Sequence, residues 1–319
     1  MMTKNISGMS LAAVLGFAAF FMAAYTPSFL NTYLLALIFG MSLAPLISKK
    51  PILNPGITWS AAKMLEWSVV LLAFSLDYKA IAEIGLTSFV AIGLVVFVVL
   101  IATFYLSKVL SCPGKTGWLI GFGTAICGSS AVAALAPKIK AKEEDVAISL
   151  AVVNLYGSLA MLLLPFIFQV YPQALNEMAF IIGASLHSVG NVAGAGFAVS
   201  DEVGQLALVY KMARVALLSP ALILMSWLDA RGKEKAKFEW KLPWYLIGFI
   251  LISILVSFFP LPANMISATE LLGKIILTIA MAAIGLKVNF LQLIKAGRRG
   301  MVFALLVFLL QISLLWVVK

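Results

Sequence analysis

Apolar residues fill this chain in runs of about 20, separated by short polar clusters. At a rise of about 1.5 Å per residue, such a run crosses a hydrocarbon core of roughly 30 Å, so each reads as a spanning helix and not as a barrel strand. A sliding window predicts about eleven spans, near 9–25, 32–48, 60–76, 86–107, 117–136, 146–170, 178–199, 204–228, 243–260, 269–288 and 300–317. The first run is longer than a signal-peptide core of about 7–15 residues and lacks a convincing cleavage site, so it counts as helix 1. No soluble domain is left over, and residues 1–319 read as one transmembrane domain, an all-α polytopic membrane protein.

The polar clusters carry a second pattern. A gapless shift of 212 lays residues 30–108 on 242–319, with Leu30 on Leu242, Tyr33 on Tyr245, Asp77 on Asn289 and Gly85 on Gly297. Helices 2 to 4 then correspond to helices 9 to 11, an odd number of crossings apart, which is the mark of an inverted repeat. Between these copies, Gly128 to Pro165 and Gly183 to Pro220 also resemble each other, but two crossings apart, which gives the same orientation and no inversion.

Composition agrees with the pattern: 63% of residues are hydrophobic and 11% charged, far from a soluble protein. The net charge of +10 would suggest nucleic acid in a soluble chain, whereas here positive-inside loop bias accounts for it and no nucleic-acid partner is expected. With a cytoplasmic N-terminus, Lys49/Lys50, Lys108/Lys115, the stretch Asp229 to Lys241 and Lys295/Arg298/Arg299 share the cytoplasmic side. The loop Lys138 to Asp145 falls on the wrong side in this count, so either one crossing is misplaced or helix 5 does not cross simply. Cys112 and Cys127 lack framework spacing and are expected as free thiols.

Candidate chemistry concentrates in residues 116–228. Helix 5 runs through Gly117, Gly121, Gly123 and Gly128 to Pro137, with Thr124, Cys127, Ser129 and Ser130 among them. Tight helix packing explains some of these glycines; a discontinuous helix, whose freed N–H groups and hydroxyls line a midplane site, explains more. Asn154 in helix 6 needs a partner, either a neighbouring helix or a ligand. In helix 7, His187, Asn191 and Gly194 share one helical face, and His187 is the single histidine. Helix 8 places Lys211 and Arg214 deep in the apolar run, where a charge costs roughly 2.5–3.5 kcal/mol on insertion scales. Their partner is either an end carboxylate such as Glu66 or Asp201, or an anionic substrate. Helix 10 ends in small residues from Ala280 through Gly285 to Lys287 and is the other candidate for a second broken helix.

The blocks Asn54-Pro55-Gly56-Ile57, Ile126-Cys127-Gly128-Ser129-Ser130-Ala131, Lys142-Glu143-Glu144-Asp145, Lys211 with Arg214, and Ala280 to Lys287 resemble the YeiH-type sulfate exporter family of bacterial inner-membrane proteins. The resemblance covers nearly the whole chain. It implies a secondary-transporter fold of the sodium/proton antiporter or bile acid symporter kind, with inverted repeats and crossed discontinuous helices. One departure falls in the candidate site: the family pattern His-Glu-Val-Ala-Gln is His187-Ser188-Val189-Gly190-Asn191 here.

The expectation is therefore a multi-pass inner-membrane carrier that moves a small anion, sulfate or an organic sulfonate or carboxylate, by alternating access. The expected binding residues are Thr124, Cys127, Gly128, Ser129, Ser130, His187, Asn191, Lys211 and Arg214, supported by Asn154 and Gly285. An anion channel and a sodium- or proton-coupled solute symporter are the alternatives. One histidine, two unpaired cysteines and no acidic cluster argue against an enzyme or a metal site, and no cofactor is expected. The coupling ion and homodimer formation are left open.

Overall fold

The computed structural model describes residues 3–26, 32–47, 50–75, 78–110, 112, 115–230, 243–259, 261–288 and 297–319. Every regular element among them is helical: α1 (Thr3–Ala23), α2 (Thr32–Ile47), α3 (Asn54–Trp59), α4 (Leu65–Leu72), α5 (Tyr78–Val109), α6 (Thr116–Ala125), α7 (Ser129–Lys138) and α8 (Glu143–Val170). They continue as α9 (Leu175–Ser185), α10 (Val189–Val199), α11 (Asp201–Ala216), α12 (Leu218–Ala230), α13 (Trp244–Phe258), α14 (Ala263–Leu286) and α15 (Gly297–Val318). Seven described stretches are long and apolar enough to cross a membrane: Ile6–Ala23, Pro51–Ser75, Gly85–Val109, Glu143–Val170, Asp201–Met225, Ala263–Leu286 and Arg299–Val318. The chain is a polytopic helical membrane protein.

Local chemistry sets the interruptions. Pro51–Ser75 joins α3 and α4 through a wide π turn at Ser60–Met64 and ends in a 3-10 turn at Ala73–Ser75. Gly85 (φ 69°) kinks α5, a conformation only glycine adopts at little cost. Pro220 lies in the first turn of α12, where its missing N–H breaks no helical bond.

The predicted spans 117–136 and 178–199 are not single straight helices. In the first, α6 and α7 fold back on each other. A Cβ on Gly123 would lie 2.9 Å from Val132, nine residues further along, and Lys115 donates to the carbonyl of Ile139. The base of the hairpin is tied to the start of α8, where Thr116 Oγ1 donates to Asp145 at 2.7 Å and Ser149 Oγ to the Thr116 carbonyl at 3.2 Å. In the second, Gly183 and Gly196 both abut Ala207 of α11, while Met178 and Val199 line one cavity with Pro172. A straight helix from Gly183 to Gly196 would separate its ends by about 20 Å. Because α8 runs from the base of one hairpin to the base of the other, the two enter from opposite faces and meet at their tips: a Cβ on Gly128 would lie 3.2 Å from the His187 carbonyl oxygen.

This geometry answers the orphan loop. Lys138–Lys142 returns to the face that holds Lys108 and Lys115, and the start of α15 joins it there, with Gly300 near Ile148. Lys49, Lys295, the stretch Arg231 to Lys241, and the repeat positions Leu30, Asp77, Leu242 and Asn289 lie outside the described residues. Each of the two middle units contains one helix break. Their register is also corrected: the breaks at Ile126–Gly128 and Leu186–Ser188 are 60 residues apart, not the 55 that places Gly128 on Gly183.

Two bundles pack around the tips. In one, α1, α2, Pro51–Ser75, α13 and α14 meet at close glycine crossings, with Gly8 against the Leu53 carbonyl, Gly40 against Ala282 and Gly285, and Gly248 against Val70. The other contains both hairpins with α5, α8, α11 and α15.

Re-entrance is testable by labelling single cysteines in intact cells and inverted vesicles, on a background lacking Cys127 and Cys112. Burial, reinforced by Asp145, pushes the Cys112 thiol up, so it contributes little thiolate even where it is kept. An impermeant maleimide should modify Lys108→Cys and Lys142→Cys from one side and Gln173→Cys from the other. A simple crossing by residues 117–136 would put the first two on opposite sides.

Candidate functional site

Each hairpin tip frees backbone groups of both signs. The last carbonyls of α6 and α9 lose their helical donors, and the first N–H groups of α7 and α10 lose their acceptors. The former are the negative poles of their half-helices and the latter the positive poles.

Lys211 and Arg214 satisfy the carbonyls. Lys211 Nζ donates to Ile126 O (2.9 Å), Leu186 O (2.7 Å) and His187 O (2.8 Å), using all three ammonium hydrogens. Arg214 Nε and Nη2 reach Ala125 O at 3.2 and 2.9 Å, Nη2 reaches Thr124 O at 2.6 Å, and Nη1 reaches Leu186 O at 2.9 Å and Gly183 O at 3.4 Å. Both side chains are 0% exposed. No donor is left over for a ligand, so neither expected partner, end carboxylate or substrate, is the one they have. Glu66 bonds Lys63 and Trp244, and Asp201 pairs with Lys274. Each cation bridges the two tips, one from each entering arm.

The N–H ends face open space. A cavity of about 210 Å³ is lined by the polar residues Ser129, Asn154, Ser158, Ser188, Asn191 and Lys287 and by the apolar residues Ala61, Ala62, Leu65, Leu155 and Ile284. A second, of about 220 Å³, shares Ala62, Leu65, Ser129 and Ser188 and adds Glu66, Cys127, Ser130 and Tyr245. Ser129 Oγ donates to Asn154 Oδ1 at 2.6 Å, which leaves the Asn154 amide hydrogens for the cavity. Ser188 caps α10 by accepting the Asn191 N–H at 3.1 Å. Cys127 Sγ lies 3.0 Å from Ser130 Oγ. Two helix starts, two carboxamides and several hydroxyls thus converge on one volume, an arrangement of hydrogen-bond donors suited to negative charge.

Of the sequence candidates, Cys127, Ser129, Ser130, Asn154 and Asn191 line this space. Gly128 (φ 72°, ψ −129°) makes the tip turn beside it. Thr124 and His187 are buried behind it; the His187 ring packs on Phe308 at 4.9 Å, and its Nδ1 has no partner among the described residues. Gly285 packs on α2, and α14 is continuous, so the second broken element is helix 7 and not helix 10. Sequence reasoning missed Ser188 and Lys287 as lining residues, together with the π turn that carries Ala61 and Ala62. Ser188 was visible as a serine directly before the α10 start, a preferred capping residue.

Fold and site together describe a helical membrane protein with a ligand-sized cavity at two opposed hairpin tips. A family model described as conserved hypothetical protein 698 matches residues 7–304, and the chain belongs to that family. It is 33% identical over 86% of its length to the UPF0324 inner membrane protein YeiH of Escherichia coli K12, covering 80% of that protein. A UPF0324 membrane protein of Helicobacter hepaticus is 29% identical over 95% of this chain and 93% of its own, and one of Agrobacterium fabrum 32% over 87% and 80%. No solved structure matches.

The tip clamp makes a stability prediction. Arg214→Met or Lys211→Met strands several carbonyls in a dry interior and should lower stability by on the order of 3 kcal/mol. In detergent this appears as a melting temperature at least several degrees lower with no ligand present. Ser129→Ala, at the cavity surface, should leave melting nearly unchanged, and equal effects of all three substitutions would contradict a structural clamp.

Proposed function

We propose that this protein is a secondary transporter that moves a small anion across the bacterial inner membrane by alternating access, with nine crossings, two re-entrant hairpins and a cytoplasmic N-terminus. The observation that carries it is the convergence of the α7 and α10 N-termini on one cavity while Lys211 and Arg214 are fully occupied at the opposite poles. Neutral donors and helix poles bind an anion without the irreversibility of a dedicated buried ion pair, as a carrier requires.

The inverted pair of hairpins supports alternation, because two related halves can exchange conformations and so open the site to either face. The outer bundle adds to this: Thr32 and Trp244, Pro51 and Ala263, and Gly85 and Gly297 start corresponding elements, each pair 212 residues apart. The cytoplasmic assignment rests on Lys108, Lys115, Lys138, Lys140, Lys142 and Arg299 sharing one face. The inner-membrane location follows the wording attached to the Escherichia coli relative. The site is for carrying and not for chemistry, since the His187 ring is buried against Phe308 and away from the cavity-lining hydroxyls.

Reconstituted protein should take up labelled small anions, including sulfate, sulfonates and carboxylates, and unlabelled anion inside the vesicles should accelerate entry. Ser129→Ala combined with Asn191→Ala should cut that exchange about tenfold or more while melting is preserved. Flux without trans-stimulation would indicate a channel. Uptake only with a sodium or proton gradient would make the carrier a symporter, and no uptake of any anion would overturn the reading.

A further inference from the structure

The cavity is not equally polar all round, and this bears on which anion it takes. Its donors come from the starts of α7 and α10 and from Asn154 and Asn191. Asn191 is 4% exposed and lines the cavity, its amide nitrogen packed beside Gly157 of α8 and its carboxamide without a hydrogen-bond partner among the described residues. Leu65, Leu155 and Ile284 in the same lining form an apolar wall that offers hydrocarbon only, and Leu65 and Ile284 reach the α10 start at Gly190. Gly190 allows this wall to close in, since a Cβ there would lie 2.8 Å from Ile284 and 3.1 Å from Leu65.

One charge is available beside the apolar wall, about one turn beyond Ile284. Lys287 follows the last turn of α14 and lines the cavity, and it forms no ion pair or side-chain hydrogen bond among the described residues. It differs in this from Lys211 and Arg214, whose donors are all used. Glu66, on the adjoining cavity, is held by Lys63 at 2.8 Å and Trp244 at 2.6 Å and adds negative charge to that side.

We propose that the substrate is an organic monoanion, a carboxylate or sulfonate with a short hydrocarbon body, and that Lys287 is the charge-selecting residue of the site. The acid group lies on the α7 and α10 N-termini within reach of Lys287, and the hydrocarbon lies on Leu65, Leu155 and Ile284. An inorganic dianion such as sulfate carries charge on every face. Against the apolar wall it would lose hydration and gain nothing, with one free cation set against two charges. This inference rests on the anion-carrier reading above and narrows it.

The test is ligand-induced thermal stabilisation of the purified full chain with sodium sulfate, acetate, butyrate, methanesulfonate and butanesulfonate, at constant ionic strength. Each methylene placed on the apolar wall should tighten binding about fourfold, so butyrate and butanesulfonate should act at least tenfold below acetate, methanesulfonate and sulfate. Lys287→Gln should weaken butyrate binding about tenfold or more at unchanged ligand-free melting. Leu65→Asn should flatten the chain-length dependence while acetate binding persists. Sulfate binding as tightly as butyrate, or no effect of Lys287→Gln, would overturn this inference and leave the carrier reading standing. If none of the five anions stabilises the protein, both fall.

Discussion

A backbone that turns round inside a membrane must find partners for the hydrogen bonds it gives up, and this fold depends on how that is done. Two helices stop inside the protein, at Ile126 and Leu186, and each leaves carbonyls without a helical donor. Lys211 and Arg214, one helical turn apart on α11, supply donors to both stops at once. Burying two like charges this close together would be prohibitive in hydrocarbon, but a cage of carbonyl dipoles and two negative helix poles replaces the lost hydration. The same bonds attach one tip to the other. They fix the place where the hairpins meet, and hence the place where the returning arms begin.

The clamp also gives the site its polarity. Because the negative poles are neutralised from behind, what remains at the front is uncompensated positive potential from the starts of α7 and α10. The two hairpin units divide these tasks. Asn154 and Arg214 are 60 residues apart, the same spacing as the two breaks, yet Arg214 turns into the carbonyl cage while Asn154 faces the cavity and holds Ser129. Two related positions thus serve opposite poles of the same pair of hairpins.

Much of this was legible in the residues. Hydropathy located the apolar runs, the glycines and hydroxyls of residues 117–130 marked one tip, and the depth of Lys211 and Arg214 marked them as requiring partners. Three things were hidden, each for a physical reason. A run of about 20 apolar residues is equally a crossing or two arms of ten, because hydropathy is blind to a reversal of direction; the misplaced Lys138 to Asp145 loop was the one sign of it. The partners of the cations could not be found by searching the acidic residues, since backbone carbonyls appear at every position of a sequence and are acceptors only where a helix breaks. Lys287 stands at the end of an apolar helix, where a lysine ordinarily reaches for the interface, and only the approach of α14 to the hairpin tips turns it toward a cavity.

On the transport reading, the clamp restricts how alternation takes place. Opening either hairpin alone would break four of the eight bonds that Lys211 and Arg214 make, exposing carbonyls and charges to hydrocarbon at several kcal/mol for each unsatisfied group. Among the described residues, the side chains of Leu65 and Ile284 make no such bonds. Leu65 and Ile284 meet the tips through van der Waals contact alone, at Gly190, and the bundle that holds them is braced internally by its own glycine crossings, Gly40 on Gly285 and Gly16 on Ile279. The inexpensive motion is therefore of the clamped hairpins as one body, with α8 and α11, against the α1–α4 and α13–α14 bundle. The anion travels with the poles that bind it and with Leu155 of α8, and Leu65, Ile284 and Lys287 remain with the frame it leaves.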